Sequence, residues 1–331
     1  MPSKIKKFFS FFFLIVFFTL VFYFFFGVEK PSRNLQFGVV FSQKHTQLLG
    51  LDWKKTYLAI LDDLSPKYIK ILTHWDLLEP QNNFFQFSDL DWQLEQAKQR
   101  GKKVILVLGM KTGRWPECHL PEWAKNLSDP DREKEILDLV KTVVLRYRGF
   151  YNIFAWQVEN EPFFSFGECP KISKEFLKEE IKTIKSLDSR PVIITDSGEF
   201  SFWIEAAKLG DIVGITLHRR VYFKELSIYL TYPFTPTFYQ RKAQIIQKFF
   251  KKKVLVLELQ AEPWCKNLIY NCPLKEQQIT MDNEKFQKNI EFAKKTGLDT
   301  FYLWGSEWWY WLKEKNINSE IWEQAKKLFL E

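Results

Sequence analysis

Two glutamates stand where an apolar run stops. Phe154-Ala155-Trp156-Gln157-Val158 leads into Glu159-Asn160-Glu161-Pro162, and Val254-Leu255-Val256-Leu257 leads into Glu258. A short, wholly apolar run reads as a strand covered on both faces. Each run therefore delivers a carboxylate at its end. Two carboxyl groups on separate strands, facing one gap, can divide the labour of breaking a glycosidic bond: one protonates the leaving oxygen, and the other stays ionised. Glu262, in Glu262-Pro263-Trp264, is the rival for the second position. Glu258 ends the apolar run directly and is preferred. Glu159 precedes Asn160 and, by period-two alternation, points away from the mouth, so it reads as structural.

The elements that must hold these groups are legible along the chain. Strands are expected at Gln36–Phe41, Tyr68–Leu72, Val104–Leu108, Ile153–Val158, Val192–Thr195, Ile212–Leu217, Val254–Leu257 and Thr300–Leu303. Amphipathic stretches alternate with them at Trp53–Leu64, Phe87–Arg100, Arg132–Tyr147, Ser173–Leu187, Trp203–Lys208, Phe238–Phe250, Asn283–Thr296 and Glu320–Phe329. Gly101 and Gly297 follow two of these helices, where a left-handed cap is expected. Eight strand-helix units predict an α/β fold, a (β/α)8 TIM barrel, with its site at the C-terminal ends of the strands. An open doubly wound sheet is the alternative, but no G-x-G-x-x-G follows the first strand.

Reading past each strand end gives a dense rim. It holds His74, Trp75 and Glu79; Lys111, Arg114, Trp115 and Glu122; Asn160 and Glu161; Asp196 and Glu199; His218, Arg219 and Arg220; Glu258; then Trp304, Glu307, Trp308 and Trp309. Indoles stack on the C–H faces of sugars, and charged groups hydrogen-bond their hydroxyls. Sugar contact is thus expected from Asn160, His218, Trp304, Trp75, His74 and Trp115. Tyr222 is the nearest aromatic companion for His218. Past the sixth strand, Tyr229, Tyr232, Phe234, Phe238 and Tyr239 form an aromatic segment that flanks the cleft, meets a membrane surface or simply packs against the barrel.

Asn160-Glu161-Pro162 at the fourth strand, Glu258 at the seventh and Trp304 at the eighth resemble clan A glycoside hydrolases, the group of cellulase-like, mannanase-like and β-galactosidase-like enzymes. Residues 75–91 and Pro121-Glu122-Trp123 resemble segments after the second and third strands of that clan. The resemblance covers residues 36 to 310. It implies Glu161 as general acid/base, Glu258 as nucleophile in a retaining double displacement, and Asn160 on the sugar 2-hydroxyl. Several families of the clan carry an Arg on strand two; here Lys70 stands in its place. The resemblance implies no cofactor and no metal. A catalytically silent glycan-binding barrel and a transglycosidase with the same residues are the alternatives.

Composition bears on location. Eleven of the 33 Phe lie between Phe8 and Phe26, in a run broken only by Ser10 and Thr19. As a helix this run spans about 28 Å, close to the ~30 Å hydrocarbon core. Lys4, Lys6 and Lys7 precede it, which predicts a cytoplasmic N-terminus and an exported body. Gly27 after Phe24-Phe25-Phe26 is a poor signal-peptidase site. Residues 1–27 are therefore read as an uncleaved transmembrane signal anchor, 28–35 as a linker and 36–331 as the catalytic domain; if residues 1–27 were cleaved, the body would be secreted. Half of the net charge of +8 sits in residues 1–33, where Lys4, Lys6, Lys7, Lys30 and Arg33 face Glu29 alone, so the charge gives no nucleic-acid signal. A carbohydrate substrate, the membrane and a monomeric chain are the expected partners and state. The four cysteines pair best as Cys118–Cys169 and Cys265–Cys272, joining loops at one end of the fold; free thiols are the other reading.

Overall fold

Eight apolar strands lie side by side and close on themselves. The structure is a computed structural model describing residues 2–330, with side chains within 8–330. The strands are β1 (Gln36–Phe41), β2 (Tyr68–Leu72), β3 (Lys103–Leu108), β4 (Ile153–Val158), β5 (Val192–Asp196) and β6 (Ile212–Leu217). A hairpin of β7 (Arg220–Phe223) and β8 (Ile228–Thr231) follows, then β9 (Lys253–Gln260) and β10 (Thr300–Trp304). The closed order is β1-β10-β9-β6-β5-β4-β3-β2, and every barrel pair is parallel. With helices between successive strands, this is a (β/α)8 barrel.

Strand alternation sorts the apolar residues into two layers. Val40, Leu72, Ile105, Val107, Ala155, Ile193, Leu255, Leu257 and Tyr302 fill the barrel interior. Their neighbours, such as Val39, Ile71, Leu106, Trp156 and Val256, pack outward against the helices. Lys70 takes an inward position on β2, between outward-facing Ile69 and Ile71, and is fully buried. A lysine there needs a counter-charge.

β9 departs from the sequence reading in a way that matters. It runs on through Gln260, so Glu258 lies inside the strand rather than just past it. Pairing with β6 shifts register there: Ile215 faces Val256, but Thr216 faces Glu258. The slip is a bulge at Leu257. Without it Glu258 would alternate outward, like Val256. With it Leu257 and Glu258 both turn inward, as bulges beside active sites commonly do.

The expected helices form with boundary changes of a few residues, and Trp53–Ala59 continues as a π turn over Ile60–Leu64. The sequence reading missed Gln43–Leu48, Leu274–Thr280 and Ser306–Glu314. Ser306–Glu314 follows β10 so closely that its Trp308 and Trp309, read as rim residues, are buried core instead. Both expected disulfides are present, Cys118–Cys169 and Cys265–Cys272. The first ties the loop after β3 to the loop after β4, beside the candidate glutamates.

α1 (Pro2–Phe25) carries the Phe-rich run, and residues 8–25 have a mean hydropathy of 2.5 with none of the window buried. Its end rests on the helix Pro236–Phe250: the Phe25 and Phe238 rings lie 5.4 Å apart, and Thr235 donates to the Phe25 carbonyl at 3.2 Å.

Candidate active site

The loop after β4 is bent to aim its side chains. Glu159 and Glu161 both have left-handed φ, at 54° and 45°. Non-glycine residues hold such angles only where their surroundings fix them. Here Glu159 N–H donates to the Leu108 carbonyl, Asn160 N–H to the Lys111 carbonyl, and Glu161 N–H to Thr195 Oγ1 at 2.7 Å. Lys111 Nζ donates to the carbonyls of Glu161 and Phe164. The Glu159 carboxylate turns back to accept from Met110 N–H (3.0 Å) and Lys111 N–H (2.6 Å). It can do so because Gly109, at φ 112°, has no Cβ to occupy that space. Glu159 thus braces the β3–β4 junction.

Asn160 and Glu258 converge on Lys70. The Lys70 ammonium lies 3.0 Å from Glu258 Oε1 and 3.5 Å from Asn160 Oδ1. Gln157 donates to the same Asn160 oxygen at 3.1 Å, which fixes the amide. Glu161 Oε1 lies 3.2 Å from Thr216 Oγ1, the residue paired across the β9 bulge with Glu258.

The two carboxyls are pushed in opposite directions. Burial and the neighbouring charges of Glu258 and Glu117 hold the Glu161 carboxyl well above its ordinary value. Burial acts on Glu258 in the same sense, but Lys70, His218 and Arg114 outweigh it, and its carboxyl falls below the ordinary value. One raised and one lowered carboxyl is the division that acid catalysis paired with nucleophilic attack needs.

Glu262 is committed elsewhere. It pairs with the buried Arg114 guanidinium and lies 3.4 Å from His45 Nε2. Arg114 also reaches Glu307, whose other oxygen accepts from Ser42 N–H at 2.7 Å. Arg114 sits 4.2 Å over the Trp304 ring. This network locks Trp304 in place.

The remaining expected sugar contacts divide. His218 and Trp304 lie together, 5.7 Å between ring centres, and Nε2 of His218 is buried without a hydrogen-bond partner among the described residues. Such an orphan atom is available to a ligand. The aromatic companions of His218 are Trp304 and Trp264, the latter 5.1 Å away. Tyr222 is not one of them: it sits in the β7–β8 hairpin and pairs with Tyr229. Trp115 is 41% exposed at the rim and meets Phe166. Trp75 is fully buried; it packs edge-on against Trp123 and gives its indole N–H to Glu79. His74 is buried against His119, with Nε2 3.2 Å from Ser42 Oγ. Trp75 and His74 therefore support the rim from behind.

Three further residues belong to the site. Glu117 lies 3.5 Å from the Asn160 amide, and burial together with the Glu258 charge pushes its carboxyl up to about 7. Its sequence signal is faint, since it sits in a loop between Pro116 and Cys118. Glu199, in the rim past the fifth strand, accepts from His218 N–H and Tyr239 hydroxyl and so fixes the end of β6. Trp264 stood beside Glu262 in the sequence without being singled out.

Lys70 gives the first testable consequence. In Lys70→Met, burial of Glu258 is no longer opposed by an ammonium, so its carboxyl rises. The acidic limb of the kcat/KM profile should move to higher pH. Removing one partner of a buried ion pair costs about 3–5 kcal/mol. Because the lowered carboxyl stabilises the wild type above its unfolded pKa and loses that effect as pH falls, the stability gap between the two proteins should narrow on acidification. Thermal melts at pH 7 and pH 4 check this.

An (β/α)8 barrel with two oppositely poised carboxyls at its mouth defines a class, the barrel glycosidases. Comparison with known proteins agrees. The family model "Glycosyl hydrolase family 10" matches residues 38–179, from β1 through the loop with Asn160-Glu161-Pro162 into the following helix. Among solved structures, GH5_18 from Streptomyces cattleya in complex with GlcNAc is 15% identical, covering 82% of this chain and 70% of that one, with a TM-score of 0.58. Xylanase 10B from Thermotoga petrophila in complex with xylobiose is 16% identical over 82% of each chain, with a TM-score of 0.53. A glycosylated endo-β-1,4-xylanase from Gloeophyllum trabeum is 16% identical, covering 83% of this chain and 85% of that one, with a TM-score of 0.56. At these identities the likeness is one of fold. The family match spans less than half of the chain, and together with the fold it supports a clan A glycoside hydrolase, a glycosidase.

Proposed function

We propose that the protein is a retaining glycosidase acting on poly- or oligosaccharides or their conjugates, anchored in a membrane by α1 with its barrel outside the cytoplasm. The observation that carries the reading is the opposed poise of Glu161 and Glu258 in one barrel mouth. Glu258, ionised and held by Lys70, attacks the anomeric carbon and forms a glycosyl ester. Glu161, protonated, gives its proton to the leaving oxygen, then takes one from the water that hydrolyses the ester. Asn160 donates to the sugar 2-hydroxyl, and Trp304, Trp264 and His218 form the wall for the sugar ring. Saccharides bound to fold neighbours, GlcNAc and xylobiose among them, support this substrate class.

A 2-deoxy-2-fluoro glycoside with a good leaving group tests the assignment. It should label the protein on Glu258, read by peptide mass spectrometry. Labelling of Glu262 or Glu117 instead would sink the assignment. The kcat/KM profile should be bell-shaped. Activity is lost at low pH as Glu258 takes a proton, and at high pH as Glu161 loses its own.

A further inference from the structure

A run of aromatic rings connects the end of α1 to the acid/base side of the cleft. Phe25 meets Phe234 with ring centres 6.3 Å apart, Phe234 meets Phe200 at 6.3 Å, and Phe200 meets Phe164 at 5.9 Å. Phe164 N–H donates to the Glu161 backbone carbonyl at 3.0 Å, so the run ends in the same loop that carries the assigned proton donor. Tyr232 packs edge-on against Phe200 at 5.4 Å. Phe200 is 54% exposed and its neighbour Phe202 58%, and Phe202 also touches Phe24 of α1. Phe25, Phe164 and Phe234 are half-buried, so the exposed part of the run is Phe200 with Phe202 two residues on; exposed apolar rings grouped together mark a surface that contacts something apolar.

The two ends of the cleft differ in chemistry. The side near Glu258 offers indoles, an imidazole and an amide, groups with polar edges suited to a sugar. The side past Glu161 offers mainly phenyl rings, which have no polar handle and hold alkyl or acyl chains, and Phe166 bridges Phe164 to Trp264 where the two sides meet. A proton donor lies next to the leaving group, so this phenyl strip lines the aglycone side. At its far end it joins α1, the proposed membrane anchor.

We propose that the aglycone is a lipid. The substrate is a glycolipid lying in the same membrane as α1, its tail along Phe164, Phe200 and Phe202 and its sugar against Trp304. This rests on the retaining-glycosidase reading and adds the substrate class to it.

The test uses the full chain in phosphatidylcholine vesicles. The probes are methyl, octyl and dodecyl glycosides of glucose, mannose and xylose below their micelle concentrations, with aryl glycosides of the same sugars. For the sugar that is accepted, kcat/KM should rise at least about 10-fold from methyl to dodecyl. The double variant Phe200→Ser, Phe202→Ser should flatten that rise; both residues are exposed, so the fold should persist, as thermal melting checks. A wild type equally fast on methyl and dodecyl glycosides overturns the lipid inference and leaves the glycosidase intact. A chain-length dependence that survives in the double variant overturns the strip as the lipid site. No turnover of any glycoside, with no label on Glu258, defeats the underlying reading instead.

Discussion

Glu258→Gln should bring turnover of aryl glycosides close to the uncatalysed rate, a loss of at least about 10⁴-fold, whatever the leaving group. The amide has the carboxylate's shape but cannot form the glycosyl ester. An activated leaving group does not help, because the missing step is attack on the anomeric carbon. Lys70 donates to Glu258 at 3.0 Å from a fully buried position, so the variant leaves an ammonium with only amide oxygens as neighbours. A loss of stability accompanies the loss of rate, and the two must be separated. Thermal melting shows whether the barrel is folded at the assay temperature. Added azide then reads the chemistry: a small anion entering the cleft from the Glu258 side gives a glycosyl azide of inverted anomeric configuration. A folded Glu258→Gln protein with near wild-type rates would end the assignment of Glu258 as nucleophile.

The contrast with Glu262 shows what the sequence could and could not convey. Both glutamates follow the same apolar run, four residues apart, and hydropathy separates them only weakly. What separates them in space is the bulge at Leu257, which turns Glu258 inward, and Arg114, which engages Glu262 from a loop 148 positions away in sequence. Neither leaves a local signature. The barrel strands were legible because a strand covered on both faces must be apolar throughout, and six of them begin where the sequence places their first residue. Helix ends shifted by a few residues because caps such as Ser128 and Thr235 draw the first turn outward from the apolar stripe. Trp75 and His74 were placed on the rim by their position after β2, yet the short helix Trp75–Leu78 folds the indole inward onto Trp123 and Glu79. Position after a strand end sets which loop a residue occupies, not which way it faces. Glu117 shows the converse: nothing in its neighbours hints at a site, and only the disulfide-tied loop brings it to Asn160.

Glu161→Gln should show a loss that depends on the leaving group. An alkyl or sugar leaving oxygen needs protonation as the bond breaks, and loss of the donor costs about 10²–10⁴-fold in kcat/KM. A dinitrophenyl group leaves as a stable anion, so kcat/KM on that substrate should change by less than about 10-fold. Its kcat should still fall, because hydrolysis of the glycosyl ester needs Glu161 as base; the ester accumulates, and KM falls with kcat. Azide attacks the ester without base help, restores turnover, and gives a glycosyl azide of retained configuration, opposite to the Glu258→Gln product. The pH profile supplies an independent reading. Burial and the charges of Glu258 and Glu117 raise the Glu161 carboxyl, so the wild type loses activity as pH climbs through that raised value. Gln does not titrate, and the alkaline limb should vanish from kcat/KM. Glu117 carries the alternative, since its own carboxyl is pushed up to about 7 beside Asn160. Should the alkaline limb survive in Glu161→Gln and disappear in Glu117→Gln, the proton donor is Glu117, and Glu161 is left as a residue that merely crowds the nucleophile.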